Sequence, residues 1–225
     1  MNNTFKRKEV KFLLTKDQQK NFMKAISQNI ESDQFGEYTI CNIYYDTPDA
    51  RLIRRSIEKP IYKEKMRLRS YGKADDDTKV FVELKKKYDG VVYKRRIAMP
   101  MGEARDYVAG DSCRNGQIED EINYFMEMYQ GISPAMYIAY DRMAYFVTED
   151  PELRITFDDN ILWRDEDINL SSEVYGNSIL EKDQCIMEIK CAGAMPLWLV
   201  KALAENKIYK TSFSKYGKAY LQKIS

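Results

Sequence analysis

Basic side chains and single glutamates recur at alternate positions in several segments of this chain. The segment 79–87 places Glu83 and Lys85 on one parity, and it places Val82 and Leu84 on the other. The same alternation appears in segments 65–69 and 187–190. Side chains of a β-strand point to opposite faces with period two, so each charged set would share one face. If these faces converge on an enclosed space, that space is a cationic cavity holding a few carboxylates, which suits a polyanion and a divalent metal.

The charged positions on the predicted strands form one candidate set. Its members are Glu9, Lys11, Lys65, Arg67, Arg69, Glu83, Lys85, Lys94, Arg96, Arg142, Arg154, Asp158, Glu188 and Lys190. Arg142 and Arg154 lie in otherwise hydrophobic or aromatic segments, where an unpaired buried charge is very costly. A bound phosphate chain would supply the partner, because guanidinium groups match phosphate oxygens bidentately.

Composition excludes several classes of chemistry. The 36 basic and 35 acidic residues leave a net charge of +1, which argues against a general attraction to nucleic acid. The chain has no histidine, so Ser-His-Asp catalysis, Cys-His catalysis and histidine metal ligands are excluded. A bound metal would depend on carboxylates, water and substrate oxygens, which favours Mg²⁺, Mn²⁺ or Ca²⁺.

Cysteine usage and hydropathy indicate a location. The four cysteines have no CxxC spacing, and we expect reduced thiols in a cytoplasmic protein. No apolar run approaches the ~18 residues of a membrane span. The first residues lack the apolar core of a signal peptide. We therefore expect a cytoplasmic protein without direct membrane insertion and without a nucleic-acid partner.

The elements that must position the charged residues follow from periodicity and turn signals. Strands are predicted over 5–14, 38–45, 62–71, 79–88, 91–99, 134–148, 152–162 and 183–192, and helices over 15–30, 49–56, 101–131, 195–206 and 214–223. Thr15 to Gln18 has the form of a capping box, and Asp89-Gly90 is a strong hairpin signal. Breaks are expected near Gly110 and Gly116. About eight mostly antiparallel strands, with helices grouped between them, argue for an α+β barrel in a single domain, 1–225.

Motifs along nearly the whole chain resemble one known superfamily. They are Glu9-Val10-Lys11-Phe12-Leu13-Leu14, Tyr44-Tyr45-Asp46-Thr47, Lys65-Met66-Arg67-Leu68-Arg69, Phe81-Val82-Glu83-Leu84-Lys85-Lys86-Lys87, Lys94-Arg95-Arg96, Tyr140-Asp141-Arg142, Leu153-Arg154-Ile155-Thr156-Phe157-Asp158, Met187-Glu188-Ile189-Lys190 and Phe213-Ser214-Lys215-Tyr216. In this order they resemble the triphosphate tunnel metalloenzymes, or CYTH-like superfamily. Within it they look most like the vacuolar transporter chaperone (VTC) domain, which is the polyphosphate polymerase branch.

The resemblance implies a fold, a reaction and a set of site residues. The fold is an eight-stranded antiparallel tunnel with helices packed outside, which binds ATP and polyphosphate or triphosphate with Mn²⁺ or Mg²⁺. The implied catalytic residues are Lys11, Arg67, Arg69, Lys85, Arg142 and Arg154. These six would bind phosphate together with Lys94, Arg96, Lys190, Lys215 and Lys218. Glu188 would hold the metal, with Glu9 or Glu83. Relatives of the yeast type work with membrane partners, so a separate membrane partner is a further possibility.

One position departs from the superfamily pattern. The superfamily opens with Glu-x-Glu-x-Lys, and Arg7 stands at the first position here. The loss of that metal ligand favours the polymerase branch, which makes ADP and a longer polyphosphate from ATP, or a binding protein, over thiamine triphosphatase or adenylate cyclase relatives. A tri- or polyphosphatase of the same fold and a non-catalytic sensor of polyphosphate or nucleotide remain alternatives. Arg67→Ala or Arg142→Ala is predicted to abolish polyphosphate binding with little loss of folding.

Several residues keep a plainer interpretation. Lys86, Lys87 and Arg95 are predicted to be surface charges. Glu83 is either a metal ligand or a counter-charge to the lysines around it. Asp158 is either a metal ligand or part of a turn, whereas a turn is preferred for Asp159.

Overall fold

The protein is an α+β structure whose strands form one antiparallel sheet. The computed structural model describes residues 8–89 and 91–225, apart from the side chain of Pro151. The strands are β1 (Lys8–Thr15), β2 (Ile30–Asp46), β3 (Tyr62–Tyr71), β4 (Lys79–Tyr88), β5 (Val91–Pro100), β6 (Ser133–Val147), β7 (Asp150–Arg164), β8 (Asn177–Ser178), β9 (Gln184–Cys191) and β10 (Lys210–Thr211). The helices are α1 (Lys16–Ile26), α2 (Arg51–Ile57), α3 (Met101–Ala109), α4 (Gln117–Met128), α5 (Leu197–Glu205) and α6 (Lys215–Ile224).

The strand order is open. Hydrogen-bonded neighbours run β10-β1-β9-β7-β6-β2-β3-β4-β5, and β8 pairs with β7. The predicted antiparallel α+β class is confirmed. The sheet has ten strands instead of eight, and within the described residues no pairing joins β5 to β10 to close a barrel. The two additional strands, β8 and β10, have two residues each, which is too short for a periodicity of two to be visible.

Local sequence signals place most element ends correctly. Thr15 caps α1 through the predicted capping box, with reciprocal bonds between the Thr15 and Gln18 side chains and backbones. The register pairs Tyr88 with Val91 across the predicted hairpin, and Asp89 has a φ of 42°. This left-handed conformation is the one that a tight hairpin turn requires. The predicted break at Gly110 ends α3 with a φ of 84°.

Strand β2 is the main correction to the predicted elements. It begins at Ile30, well before the predicted start at residue 38, and α1 ends at Ile26 instead of near residue 30. The early part of β2 is mostly exposed and polar, so it lacks the apolar alternation that marks a half-buried strand. The turn expected at Asp159 is also wrong, because β7 continues through this residue to Arg164.

Two compact units make up the chain. The first unit contains the chain up to Thr39, Tyr140–Ile161 and Leu180–Ser214, and the second contains Ile40–Ala139, Leu162–Ile179 and Lys215–Ser225. Each has its own buried hydrophobic cluster, centred on residues such as Phe22 and Phe157 in the first unit and Met66, Leu84 and Phe125 in the second. The single domain expected from the sequence stays a prediction. None of the described helices has the length and apolar character that a membrane span requires.

Candidate functional site

Charged side chains cover one face of β3, β4 and β5 in the second unit. Residues opposite each other in an antiparallel sheet lie on the same face, so the register arranges them in rows. The rows are Arg69–Phe81–Ala98, Arg67–Glu83–Arg96, Lys65–Lys85–Lys94 and Lys63–Lys87–Val92. On the opposite face of β4, Val80, Val82 and Leu84 are fully buried in the core. The alternation in the sequence therefore separates core from charge as predicted.

Glu83 lies at the centre of this face, where four cations surround it. The residue is 1% exposed. Arg67 binds one oxygen, with Nε 2.7 Å and Nη2 2.6 Å from Oε2. The other oxygen, Oε1, lies 2.7 Å from Lys94 Nζ, 3.4 Å from Arg96 Nε and 3.8 Å from Arg69 Nη1. Burial raises the pKa of Glu83, but these cations outweigh it and lower the pKa to about 2. We call Arg67, Arg69, Glu83, Lys94 and Arg96 the Glu83 cluster.

Neighbouring side chains hold three of these cations in place. Arg69 Nε donates to Asn42 Oδ1 over 3.1 Å, and buried Asn42 donates in turn to the Ile138 carbonyl. Arg67 Nη1 donates to the hydroxyl of Tyr44 over 3.2 Å. Arg96 lies over the ring of Phe81, 3.4 Å from its centroid. The cluster is therefore preorganised by groups that are not themselves charged.

A second charged cluster lies on β1, β9 and β7 in the first unit. Its rows are Lys11–Glu188–Thr156 and Glu9–Lys190–Arg154. Glu188 is 6% exposed, with Oε1 2.6 Å from Lys190 Nζ and Oε2 3.7 Å from Lys11 Nζ. Lys11 Nζ also lies 3.4 Å from Glu9 Oε1 and donates to the Phe213 carbonyl. Burial raises the pKa of Glu188, yet Lys190 and Lys11 hold it well below its ordinary value.

The two arginines expected to be buried behave differently. Arg142 donates from Nε to Asp158 Oδ1 over 2.6 Å and from Nη2 to Oδ2 over 2.7 Å, and Asp158 is fully buried. Burial lowers the pKa of Arg142, but Tyr140 and Asp158 raise it above its usual value. Arg154 is exposed and lies 4.6 Å from the ring centroid of Phe146. A carboxylate therefore already serves as the partner of Arg142, and the expectation of a buried Arg154 is wrong.

The carboxylates of the two charged clusters suit a metal ion whose coordination shell is completed by waters and phosphate oxygens. Among the described residues, no group of three or more Cys, Asp or Glu side chains could hold a metal ion. Glu9 and Glu188 lie in one cluster, and both oxygens of Glu188 face lysine ammonium groups. Mg²⁺ is commonly held by one or two carboxylates, with waters and substrate phosphates completing its shell. The residues fit that mode, and Glu188, Glu9 and Glu83 stay predicted ligands.

The predicted phosphate ligands at the end of the chain lie on α6. Lys218 is exposed, and Lys215 is half-buried at the first position of the helix. The next residue, Tyr216, stacks on Tyr44 with ring centroids 4.7 Å apart. Because Tyr44 accepts the hydrogen bond from Arg67, α6 reaches the Glu83 cluster through two tyrosines. Phosphate binding by Lys215 and Lys218 stays a prediction, and Arg7 lies outside the described residues.

The residues expected to be plain surface charges divide into two groups. Arg95 is paired, with Nε 2.9 Å from both carboxylate oxygens of Glu121, and Lys86 Nζ lies 3.9 Å from buried Glu64. Lys87 instead shares the face of Lys85 and is half-buried. The sequence analysis assigned no site role to Tyr44, which accepts a hydrogen bond from Arg67. Tyr44 lies opposite Arg67 in the β2–β3 register, so both side chains share one face. The parity of Tyr44 along β2 is the signal that could have identified this role.

Solved structures of the same fold are known at low sequence identity. A candidate adenylate cyclase from Bacillus halodurans matches with a TM-score of 0.59 and 12% identity, covering 93% of this chain and 95% of that chain. A Hippeastrum protein, described as a candidate adenylyl cyclase with a dominant triphosphatase activity, matches with a TM-score of 0.56 and 16% identity, covering 92% of each chain. At these identities the likeness establishes the fold alone. A search of curated protein sequences gives no match.

The family assignment comes from the sequence as a whole. The family model described as the VTC domain matches residues 6–223, which include both charged clusters and α6 as far as Lys223. The resemblance predicted from the short motifs is thereby confirmed. The chain belongs to the VTC domain family.

Proposed function

We propose that this protein transfers the terminal phosphoryl group of ATP to polyphosphate, in a reaction that requires Mn²⁺ or Mg²⁺. The observation that carries the proposal is the Glu83 cluster, in which four cations surround one buried carboxylate. Membership of the VTC domain family supports it. We further propose a cytoplasmic location, with any membrane partner a separate protein.

The charge balance of the Glu83 cluster favours an anionic ligand. In the described contacts of the cluster four cations share one carboxylate, and a further anion close to them would be favourable. The next row adds Lys65 and Lys85 on the same face. Guanidinium groups bind phosphate oxygens bidentately, whereas lysines act as mobile point charges. A chain of phosphate groups offers both kinds of contact at every unit.

The proposed reaction needs alignment and charge stabilisation more than acid–base chemistry. A terminal oxygen of polyphosphate forms a bond to the γ-phosphorus of ATP, and the bond from that phosphorus to the β–γ bridging oxygen breaks, which releases ADP. The attacking oxygen is already anionic at neutral pH, so no general base is required. Arg67, Arg69 and Arg96 would bind the oxygens on which charge is held during transfer.

In the proposed reaction the metal would act on the charge of the phosphate groups. Bound Mn²⁺ or Mg²⁺ supplies neutralisation of charge on the phosphate oxygens. Glu188 would hold it, with Glu9 beside it. Lys11 and Lys190 would then exchange a contact with Glu188 for contacts with phosphate.

One observation favours a second candidate, which is polyphosphate binding without turnover. Both oxygens of Glu188 face ammonium groups, and this arrangement is complete without a metal. A protein of this kind would bind polyphosphate equally well after chelation of divalent ions. A triphosphatase of the same fold is the remaining alternative, and product analysis separates it from a polymerase.

The deciding experiment is incubation of the purified protein with ATP and Mn²⁺, with and without a short polyphosphate primer. Products are resolved on a gel stained for polyphosphate, while ADP and orthophosphate are quantified. Glu188→Gln is the test variant. Glu127→Gln removes the same charge from an exposed position on α4 and is the matched control.

A growing ladder with an equal amount of ADP, lost in Glu188→Gln and kept in Glu127→Gln, is the expected result. Orthophosphate released from tripolyphosphate without a ladder would identify a hydrolase instead. Tight polyphosphate binding without either product, unchanged by a chelator, would support the binding protein. Failure of the protein to bind any polyphosphate would reject all three.

A further inference from the structure

One buried hydroxyl group on β7 has no hydrogen-bond partner among the residues that the structure describes. It belongs to Thr156, which is 7% exposed and whose Oγ1 is fully covered. A buried hydroxyl without a hydrogen bond costs free energy, whereas a methyl group at the same place does not. Valine has nearly the same shape as threonine and suits a strand equally well. The packing of the sheet therefore does not explain why this residue is a threonine.

Thr156 lies on the charged face of the first unit, directly opposite Glu188. The β7–β9 register pairs these two residues. The neighbours of Thr156 along β7, Ile155 and Phe157, point to the other face and are fully buried in the hydrophobic cluster of this unit. Residues directly opposite each other in an antiparallel pair have Cβ atoms about 4.5–5.5 Å apart. A rotation of the Glu188 side chain is therefore enough to bring its carboxylate to the Thr156 hydroxyl.

Other groups are less suitable partners for this hydroxyl. Asp158, the next residue on the same face of β7, accepts both hydrogen bonds of the Arg142 guanidinium group. Because Thr156 Oγ1 is covered, a phosphate oxygen or a metal ion would have to displace the surrounding side chains to touch it. Glu188 needs no such displacement, and each of its oxygens has two lone pairs. The hydroxyl is thus placed to act on Glu188 and not on a ligand.

We propose that Thr156 is a positioning residue for Glu188. When Lys11 and Lys190 exchange their contacts with Glu188 for contacts with phosphate, the carboxylate would accept a hydrogen bond from Thr156 Oγ1. That bond would hold one carboxylate oxygen and leave the other for Mn²⁺ or Mg²⁺. Metal-binding carboxylates are commonly hydrogen-bonded by a neighbouring group, whose loss costs about 10–100-fold in metal affinity or activity. The inference rests on the proposed function and adds to it a residue that neither metal nor phosphate touches.

The test separates the effect of the metal from the binding of phosphate. Affinity for tripolyphosphate is measured by calorimetry with excess Mn²⁺ and again with a chelator, for the natural protein, Thr156→Val and Thr156→Ser. Thr148→Val removes a hydroxyl from an exposed position in the turn after β6 and is the matched control. Glu188→Gln is measured in parallel, because it shows how much of the Mn²⁺ effect depends on the carboxylate. Urea denaturation gives the stability of each variant.

In Thr156→Val the affinity measured with Mn²⁺ should fall about tenfold, while the affinity measured with the chelator stays within about twofold of the natural value. Thr156→Ser should keep both affinities, because it keeps the hydroxyl, and so should Thr148→Val. The stability of Thr156→Val should equal or exceed that of the natural protein, because no hydrogen bond is lost when ligand is absent.

Two results would overturn the positioning role while leaving the proposed function intact. The first is an unchanged Mn²⁺ effect in Thr156→Val together with a lost Mn²⁺ effect in Glu188→Gln. The second is an equal loss of affinity with and without Mn²⁺ in Thr156→Val, which would mean that the hydroxyl binds phosphate itself. A loss of affinity accompanied by a loss of stability, and not rescued in Thr156→Ser, would assign Thr156 to the fold instead. If Mn²⁺ has the same effect on Glu188→Gln as on the natural protein, both the positioning role and the proposed metal ligand are wrong.

Discussion

Tyr216 donates its hydroxyl to Asp46 Oδ2 over 2.8 Å, and this bond attaches α6 to the end of β2 within the second unit. Asp46 is buried and also accepts from the backbone N–H groups of Thr47, Leu52 and Ile53. One carboxylate therefore fixes the end of a strand, the start of α2 and the first turn of α6. Burial raises the pKa of Tyr216, and the Asp46 carboxylate raises it further.

Removal of the Tyr216 hydroxyl should affect stability more than binding. Tyr216→Phe keeps the ring that stacks on Tyr44 and loses one hydrogen bond to a charged acceptor, so we expect a loss of about 1.5–3 kcal/mol in the free energy of unfolding. Tyr216→Ala also loses the stack, and tripolyphosphate affinity should then fall because Arg67 is held by Tyr44. Urea denaturation and calorimetry measure the two effects. Equal affinities in the two variants would show that the stack does not position Arg67.

Neutralisation of Glu83 should distinguish a counter-charge from a metal ligand. In Glu83→Gln the four cations lose their shared anion, so metal-free binding of tripolyphosphate should tighten several-fold. If Glu83 holds a metal, the variant should instead weaken binding, and only when Mn²⁺ is present. Titrations with and without a chelator separate the two. Glu121→Gln, next to Arg95 in the same unit, is the matched control.

Glu83 should also contribute to the pH dependence of stability. Its pKa falls from the ordinary 4.5 to about 2 in the folded protein. A lowered carboxyl pKa stabilises the fold above the unfolded value, and this contribution is lost as pH falls from about 4.5 to 2. The difference in unfolding free energy between the natural protein and Glu83→Gln should therefore shrink over this range, by up to about 3 kcal/mol. A difference that stays constant between pH 5 and pH 2.5 in urea denaturation would contradict the lowered pKa.

Local sequence patterns predicted which residues carry charge but not which of them meet. The alternation along β4 is enough to assign Glu83 and Lys85 to one face. Arg142 and Asp158 were both candidates, yet their pairing depends on the packing of β6 and β7, which no local periodicity encodes. The bond between Asp46 and Tyr216 joins positions 170 residues apart. Propensity and alternation act over a few residues, whereas register between distant strands is decided by the whole fold.

Lys94 should make anion binding sensitive to alkaline pH. Burial lowers its pKa, Glu83 partly opposes this, and the result is a pKa of about 8. Charged Lys94 is less favourable in the folded than in the unfolded state, so this destabilisation is relieved gradually as pH rises from about 8 towards the ordinary value of 10.5. Over the same range the free site loses a positive charge, and tripolyphosphate affinity should fall relative to Lys94→Arg, which stays charged. If tripolyphosphate affinity depends on pH in the same way in the natural protein and in Lys94→Arg between pH 7 and pH 9.5, the lowered pKa of Lys94 is contradicted.

The Arg142–Asp158 pair changes what truncation of Arg142 should do. The sequence predicted lost binding with little loss of folding, but Arg142→Ala leaves a fully buried carboxylate without its bidentate partner. Breaking a buried ion pair in this way costs about 3–5 kcal/mol, so we expect a large loss of stability. Arg142→Ala/Asp158→Asn should recover part of it, because the remaining side chain is uncharged. Exposed Arg154→Ala should stay within about 0.5 kcal/mol of the natural protein. If urea denaturation gives Arg142→Ala and Arg154→Ala the same stability, the pair with Asp158 does not support the fold, and Arg142 is free to bind phosphate as the sequence pattern suggests.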